Sequence, residues 1–298
     1  MISNLNFLTT RILAIFLLPL LLLSQRAPCE PPPFYVLGTL EHGIFADMAA
    51  VIGLLDHYET EKAAGRPIAG LEVNFADKGL YYEAGRGRNY WQYYMMPLVV
   101  GKRTGSKVIR TVKEEQCKFA AKALFHMPIK RANELIKKYI HFKPFIHEKV
   151  NNLVENNFKG NFVLGVHYRG TNKFLEAPLV TYEHMQQEVQ KIIQDIKDVS
   201  VKIFVASDEQ RFIDFMVEKF GDLIVKIEAN RSTDGTPHYM EPKNQYNNGE
   251  EALIDCLLLS RCNFLLRTAS NVSYFSILFN PKIPFKNISE HFYGQNQK

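Results

Sequence analysis

Cysteine is scarce in this 298-residue chain: Cys29, Cys117, Cys256 and Cys262 form no C-x-x-C pair, and no two histidines stand four apart beside a carboxylate. Neither pattern of a protein zinc site is therefore present, and no metal is expected. Four thiols are too few for a disulfide framework; Cys29 with Cys117, or Cys256 with Cys262, can pair in an exported chain, and small buried apolar thiols are the plainer reading. A strongly charged segment is also missing. The net charge of +5, from 36 Lys plus Arg against 31 Asp plus Glu, is spread along the chain with no basic block interleaved with aromatics. That excludes a nucleic-acid backbone as partner and leaves a mild preference for anionic small molecules. Walker A and G-x-S-x-G sequences are absent, which sets aside the commonest NTPases and serine hydrolases.

Long apolar runs are missing save one, Ile12 to Ser24, which follows Arg11 and leads into Gln25, Arg26 and the Pro-rich stretch Cys29 to Pro33. This is the layout of a secretory signal, shorter than the roughly 20 residues of a spanning helix and interrupted by Pro19. No small-x-small cleavage site follows, so a cleaved signal peptide and an uncleaved membrane anchor both stay open, and a secreted or secretory-pathway location is expected. Asn230, Asn271 and Asn287 begin N-x-S triplets and are glycosylation acceptors if the host modifies them, so a glycoprotein is expected on that condition.

What remains is ordinary in composition, 46% hydrophobic and 22% charged, and long enough for one large α/β domain or two smaller ones. Apolar runs at 34–37 and 71–75 read as strands around a helix at 44–58. The stretch Tyr81 to Met96 is aromatic and holds Trp91, the only tryptophan. Helical spacing follows at 113–124 and 129–154, and a polar turn at 156–161 makes a seam. Strands at 162–167, 201–206, 223–227 and 264–266 then alternate with helices at 182–196, 209–220, 249–261 and 270–279. Alternation of this kind calls for mostly parallel sheets covered on both faces. The expected organisation is a leader and linker at 1–33, an α/β domain at 34–157 and a second at 158–298.

Ligands of open parallel sheets sit at the carboxyl ends of the strands, so the residues there are the first candidates. One such end carries His167, Arg169 and Lys173, with Glu176 beyond; alternate residues share a strand face, and the cations suit a phosphate. A second carries Ser207 and Asp208, either a helix cap or a ligand contact. At a third, Thr268, Ser270 and Asn271 precede a helix whose first N–H groups can hold an anion while the same residues cap it. Asp255 lies inside an apolar helix, either on its solvent face or reaching from the core to accept from paired N–H donors such as a guanine edge. In the first half, Gly38 and Gly43 flank a loop with Glu41, but this is not G-x-G-x-x-G and no acid is placed for a ribose, so a Rossmann dehydrogenase is disfavoured. No D-x-D pair is present, so any sugar-nucleotide chemistry would rest on cationic side chains and helix dipoles.

The run GVHYRGTNK at 165–173, then Glu176-Ala177 and TYEHM at 181–185, resembles the signature of the α-1,6-fucosyltransferases, including bacterial nodulation enzymes, and of the related protein O-fucosyltransferases. VASDE at 205–209 and the Asp255 helix with LSRCNFLLRTASN are similar to later blocks of those families, in the same order. The resemblance implies an α/β GT-B-like fold, with two facing Rossmann-like domains, and an inverting transfer of fucose from GDP-fucose to a glycan or protein hydroxyl without a metal. It would place Arg169 on the leaving diphosphate, His167 and Asp255 around the guanosine, and Ser270 and Asn271 at the phosphates with Thr268 nearby. Asp208 and Gly43 complete the substrate-binding set. Glu176 would be the base beside Lys173, with Glu41 as an alternative. Gly170 stands where the α-1,6 enzymes carry a second arginine, and Asn172 where they carry an aspartate. Transfer from another nucleotide sugar, or a non-catalytic GDP- or carbohydrate-binding relative, are the competing readings.

Overall fold

The computed structural model describes residues 30–171, 180–235 and 244–289. Two sheets organise them. The first is built from β1 (Pro33–Leu37), β2 (Gly70–Val73), β3 (Val99–Gly101) and β4 (Lys107–Arg110), in the order β3-β2-β1-β4. β1 runs parallel to both β2 and β4, and β3 is an antiparallel edge on β2. The second contains β5 (Asn161–Tyr168), β6 (Ser200–Ser207), β7 (Ile224–Val225), β8 (Phe264–Arg267) and β9 (Phe285–Asn287), in the order β7-β6-β5-β8-β9, and every pair is parallel. In this sheet the strand order reverses direction at β5, and the crevice between the carboxyl ends of β5 and β8 is where doubly wound sheets hold their ligands.

The helices are α1 (Ile44–Ala63), the single turn α2 (Trp91–Tyr94), α3 (Lys113–Ala121), α4 (Ile129–Tyr139), α5 (Pro144–Asn157), α6 (Tyr182–Gln194), α7 (Gln210–Phe220), α8 (Gln245–Leu259) and α9 (Asn271–Phe279). Sequence spacing predicts one helix across 129–154; the chain makes two. Pro144 has no N–H to donate and opens α5 at its first turn, which ends the preceding helix. The freed backbone is used: Met96 N donates to His141 O at 2.8 Å and Lys143 N to Tyr94 O at 2.8 Å. β3, β4 and β9 are strands that the sequence reading did not include. All three are short and largely exposed, with Val99 62% accessible, so no apolar run marks them.

β5 shows why the fold is specified. Leu164, Val166 and Tyr168 enter a core under α6 and α7, whereas Val163 on the opposite face joins the larger core of the molecule. That larger core runs from Leu37 through α1 to residues of α8 and α9, so the two sheets share it. α4 packs on α9, and α5 on α8. The expectation of a membrane-spanning anchor is corrected: no helix among the described residues is long and apolar enough to cross a membrane. The apolar run at 12–24 that raised it lies outside the described residues.

Candidate functional site

The carboxyl ends of β5 and β8 are tied together by the polar residues that follow them. Thr268 N donates to His167 O at 3.0 Å, and Arg169 N donates to the Thr268 hydroxyl at 2.9 Å. Asp208, at the end of β6, accepts from Gly170 N at 2.9 Å and from the Thr171 hydroxyl at 2.6 Å, and pairs with the Arg169 guanidinium at 2.8 Å. Its carboxylate therefore anchors the loop after β5 and fixes where the arginine points. The cap position of α7 is Glu209, which makes no side-chain cap bond, and the Asp208 side chain is spent on the loop after β5, so the capping alternative for Asp208 does not apply. Ser270 does cap α9, accepting from Val272 N at 3.2 Å, and leaves the first turn of that helix facing the crevice.

His167, Arg169, Ser207, Asp208, Asp255 and Val272 line one cleft, together with Ala229, Asn230 and three further residues of α8, Asn248, Glu251 and Ala252. The cleft holds about 510 Å³ of empty space, the open solvent at its mouth included. Its walls carry unspent hydrogen-bonding capacity: among the described residues, His167 Nδ1 and Asp255 Oδ1 of the lining are buried and have no partner, and the same holds for Asn271 Oδ1, next in the chain to the lining residue Val272. Buried polar atoms are nearly always paired, so two in the lining of one crevice mark a place where a ligand can complete the bonding.

Burial dominates the electrostatics. It pushes the Asp255 carboxyl up from 3.8 to about 7, with Arg231 opposing the shift and Glu251 adding to it. Arg231 is itself buried and donates to the Ser207 and Ile227 carbonyls, so it acts on Asp255 from behind the wall. Burial also lowers the His167 imidazole far below its ordinary value; Asp208 opposes this, and the Arg267 and Arg169 charges reinforce it. The ring is accordingly neutral, with one nitrogen able to accept and the other to donate. Glu209 is raised by burial and accepts from Tyr182 Oη at 2.7 Å. A side chain at position 170 would meet the Glu209 carboxyl, the end of a side chain that would have to swing away from Tyr182 to make room.

Across from this cleft, the loop after β1 is set by Asp47 of α1. Asp47 accepts from Leu40 N at 2.6 Å, from the Thr39 hydroxyl at 2.9 Å and from Tyr90 Oη; burial raises its pKa to about 6. Thr39 in turn accepts from Glu41 N at 2.9 Å, and Glu41 has a positive φ of 60° with its side chain 3.8 Å from Lys78 Nζ. Gly43 has an ordinary extended backbone and open space where a side chain would stand, with only Tyr81 Oη nearby at 3.9 Å. The buried Tyr81 phenol, raised by burial, also feels the charge of Arg169, which links this loop to the second sheet.

Of the expected site residues, His167, Arg169, Asp208 and Asp255 meet in the cleft, with Thr268, Ser270 and Asn271 at its β8 edge. Glu41 and Gly43 lie at the end of β1 and are not part of that lining. Lys173, Glu176 and Asn172 lie outside the described residues. Asn230, Asn248, Glu251 and Asp47 were not anticipated. Asp47 carries the same signal as Asp255, an acid set inside an apolar stretch of a helix; the others sit in polar segments that no pattern separates from solvated loop. Among the described residues, no group of three or more His, Cys, Asp or Glu side chains is arranged to hold a metal ion.

The model of the nodulation protein Z (NodZ) family matches residues 121–288. No curated protein matches the chain. Among solved structures, the fucosyltransferase NodZ from Bradyrhizobium is 17% identical, with 86% of this chain and 96% of that chain covered and a TM-score of 0.58. A NodZ α-1,6-fucosyltransferase soaked with GDP-fucose is 17% identical, with 86% and 94% covered and a TM-score of 0.57. FUT1 of Arabidopsis thaliana, as a mutant in complex with GDP, is 9% identical, with 92% and 74% covered and a TM-score of 0.51. At these identities the likeness is one of fold: two Rossmann-like sheets flanked by helices in a GT-B-like arrangement.

Proposed function

The chain belongs to the nodulation protein Z family, and on that premise we propose that it is an inverting fucosyltransferase that uses GDP-fucose and a hydroxyl acceptor on a glycan or a protein. The observation that carries this reading is the pair of unpartnered buried atoms, His167 Nδ1 and Asp255 Oδ1, in a crevice that Arg169 also lines. An ionised Asp255 can accept from two adjacent N–H donors, which guanine offers and uracil does not. Arg169 and the first turn of α9 supply positive potential to the diphosphate.

In this mechanism the bond between the sugar anomeric carbon and the β-phosphate oxygen breaks, its electron pair stays on the phosphate, and the acceptor oxygen bonds to the opposite face of the carbon. The transition state is oxocarbenium-like, and charge grows on the leaving GDP, where a fixed guanidinium stabilises it most. The acceptor proton passes to a carboxylate on the acceptor side. Glu176 and Glu41 are the candidates; the exposed Glu41, on a loop pinned through Thr39 to the buried Asp47, is the one within the described residues. Every polar step is assigned to side chains and a helix end. Arg169→Ala is expected to abolish nearly all transfer from GDP-fucose in a radiolabel assay, and full turnover by that variant would refute the assignment.

A further inference from the structure

We propose that Glu83, Arg86 and Tyr94 of the first half form a positioning clasp on the first turn of α8, and that this clasp holds the nucleoside wall of the cleft in its binding geometry. The first N–H groups of a helix lack intrahelical acceptors, and Asn244, the cap residue of α8, makes no side-chain cap bond. An acceptor comes from the other half of the molecule: Tyr246 N donates to Glu83 Oε2 at 3.3 Å. The carbonyl of the same residue accepts from Tyr94 Oη at 2.7 Å. Its ring stacks on Tyr94, with centroids 5.3 Å apart at 27°, and the Arg86 guanidinium lies 3.8 Å from its centroid. Arg86 Nε donates to Glu83 at 2.8 Å, and Tyr93 Oη donates to the Gly87 carbonyl at 2.7 Å, so the gripping loop is closed on itself.

One turn along, Gly249 shows how tight the grip is. A Cβ there would stand 2.9 Å from Tyr81 Cδ1 and closer still to Tyr94 Oη. The helix held in this way carries Asn248, Glu251, Ala252 and Asp255 into the cleft. The segment 81–96, whose rings the sequence offers either to sugars or to a core, thus has several of its rings buried against α8. A helix moves as a rigid rod over a few turns, so fixing its first turn fixes where Glu251 and Asp255 stand. Linkage makes the effect reciprocal: whatever binds between Asp255 and Arg169 must tighten the clasp by the free energy that the clasp contributes to binding.

The inference rests on nucleotide binding in this cleft, and the test separates the two. Tyr94→Phe, Arg86→Ala, Tyr246→Ala and the ring-preserving Tyr246→Phe are compared with the full chain by amide hydrogen exchange without nucleotide, by GDP calorimetry and by donor kinetics. Faster exchange at residues 245–252 is expected in the first three. GDP binding should weaken about fivefold in Tyr94→Phe, which loses one hydrogen bond to α8, and should also weaken in Arg86→Ala and Tyr246→Ala, which lose the ring contacts, with the donor KM raised and kcat unchanged. Tyr246→Phe, which keeps the ring, should restore affinity relative to Tyr246→Ala. Unchanged exchange at α8, or faster exchange with undiminished GDP affinity, would overturn the clasp. Absence of GDP binding by the unaltered chain, with α8 exchange still responding to the variants, would overturn the functional reading alone.

Discussion

At the scale of single residues, Asp255 is a poor choice for stability and a good one for recognition. Its carboxyl is buried, one oxygen has no partner among the described residues, and its pKa rises from 3.8 to about 7. The folded state therefore binds this proton more tightly than the unfolded chain. Stability attributable to Asp255 falls as pH rises between those two values, and the penalty stays in full above the higher one. Asp255→Asn should raise the melting temperature of the nucleotide-free protein at pH 8, and the gain should shrink at pH 5. The same substitution should cost most of the affinity for GDP. Because the ionised form is the one that accepts from guanine, GDP affinity in the unaltered protein should weaken as pH falls below about 7, by at most about tenfold per pH unit. Calorimetric titrations between pH 5.5 and 8.5 check both signs; an affinity that rises on acidification would remove Asp255 from base recognition.

At the scale of elements, α9 is held at both ends, and only one end was legible in the sequence. Ser270 precedes an apolar run in the way a helix cap does, and it caps. The other end is served by Asn133 of α4, whose Nδ2 donates to Leu278 O at 2.6 Å and to Phe279 O at 3.3 Å. No local pattern announces a partner that far away in the chain. Asn133→Leu should destabilise the fold by about 1–3 kcal/mol, because carbonyls at a helix end are then buried without a donor. Chemical denaturation measures that loss, and an unchanged midpoint would show the bonds to be dispensable. The same distinction explains the rest. β5, β6 and β8 are readable because strands buried on both faces are continuous apolar runs. The exposed β3, β4 and β9 lack that mark, and the break at Pro144 needed the proline to be weighed above the helical spacing around it.

At the scale of the whole molecule, the resemblance pointed to two Rossmann-like units, and both doubly wound sheets are present. What the sequence did not reveal is how far they are merged. A single core runs from Leu37 in β1 to Leu278 in α9, and α4 and α5, on the first-half side of the seam, pack on helices of the second half. Such a core should melt in one cooperative transition, which scanning calorimetry tests; two separated transitions would contradict a shared core. The cleft was legible where it used residues directly after buried strands, and illegible where it used Asn230, Asn248 and Glu251, which only the packing of α8 brings into line.

The most direct measurement is calorimetric titration of GDP and UDP into the protein and into its Arg169→Ala variant. Saturable binding of GDP, little or none of UDP, and a large loss of GDP affinity in the variant are the results predicted for a guanine-reading cleft with Arg169 on the diphosphate. Equal binding of GDP and UDP, or binding that ignores the loss of Arg169, would contradict it.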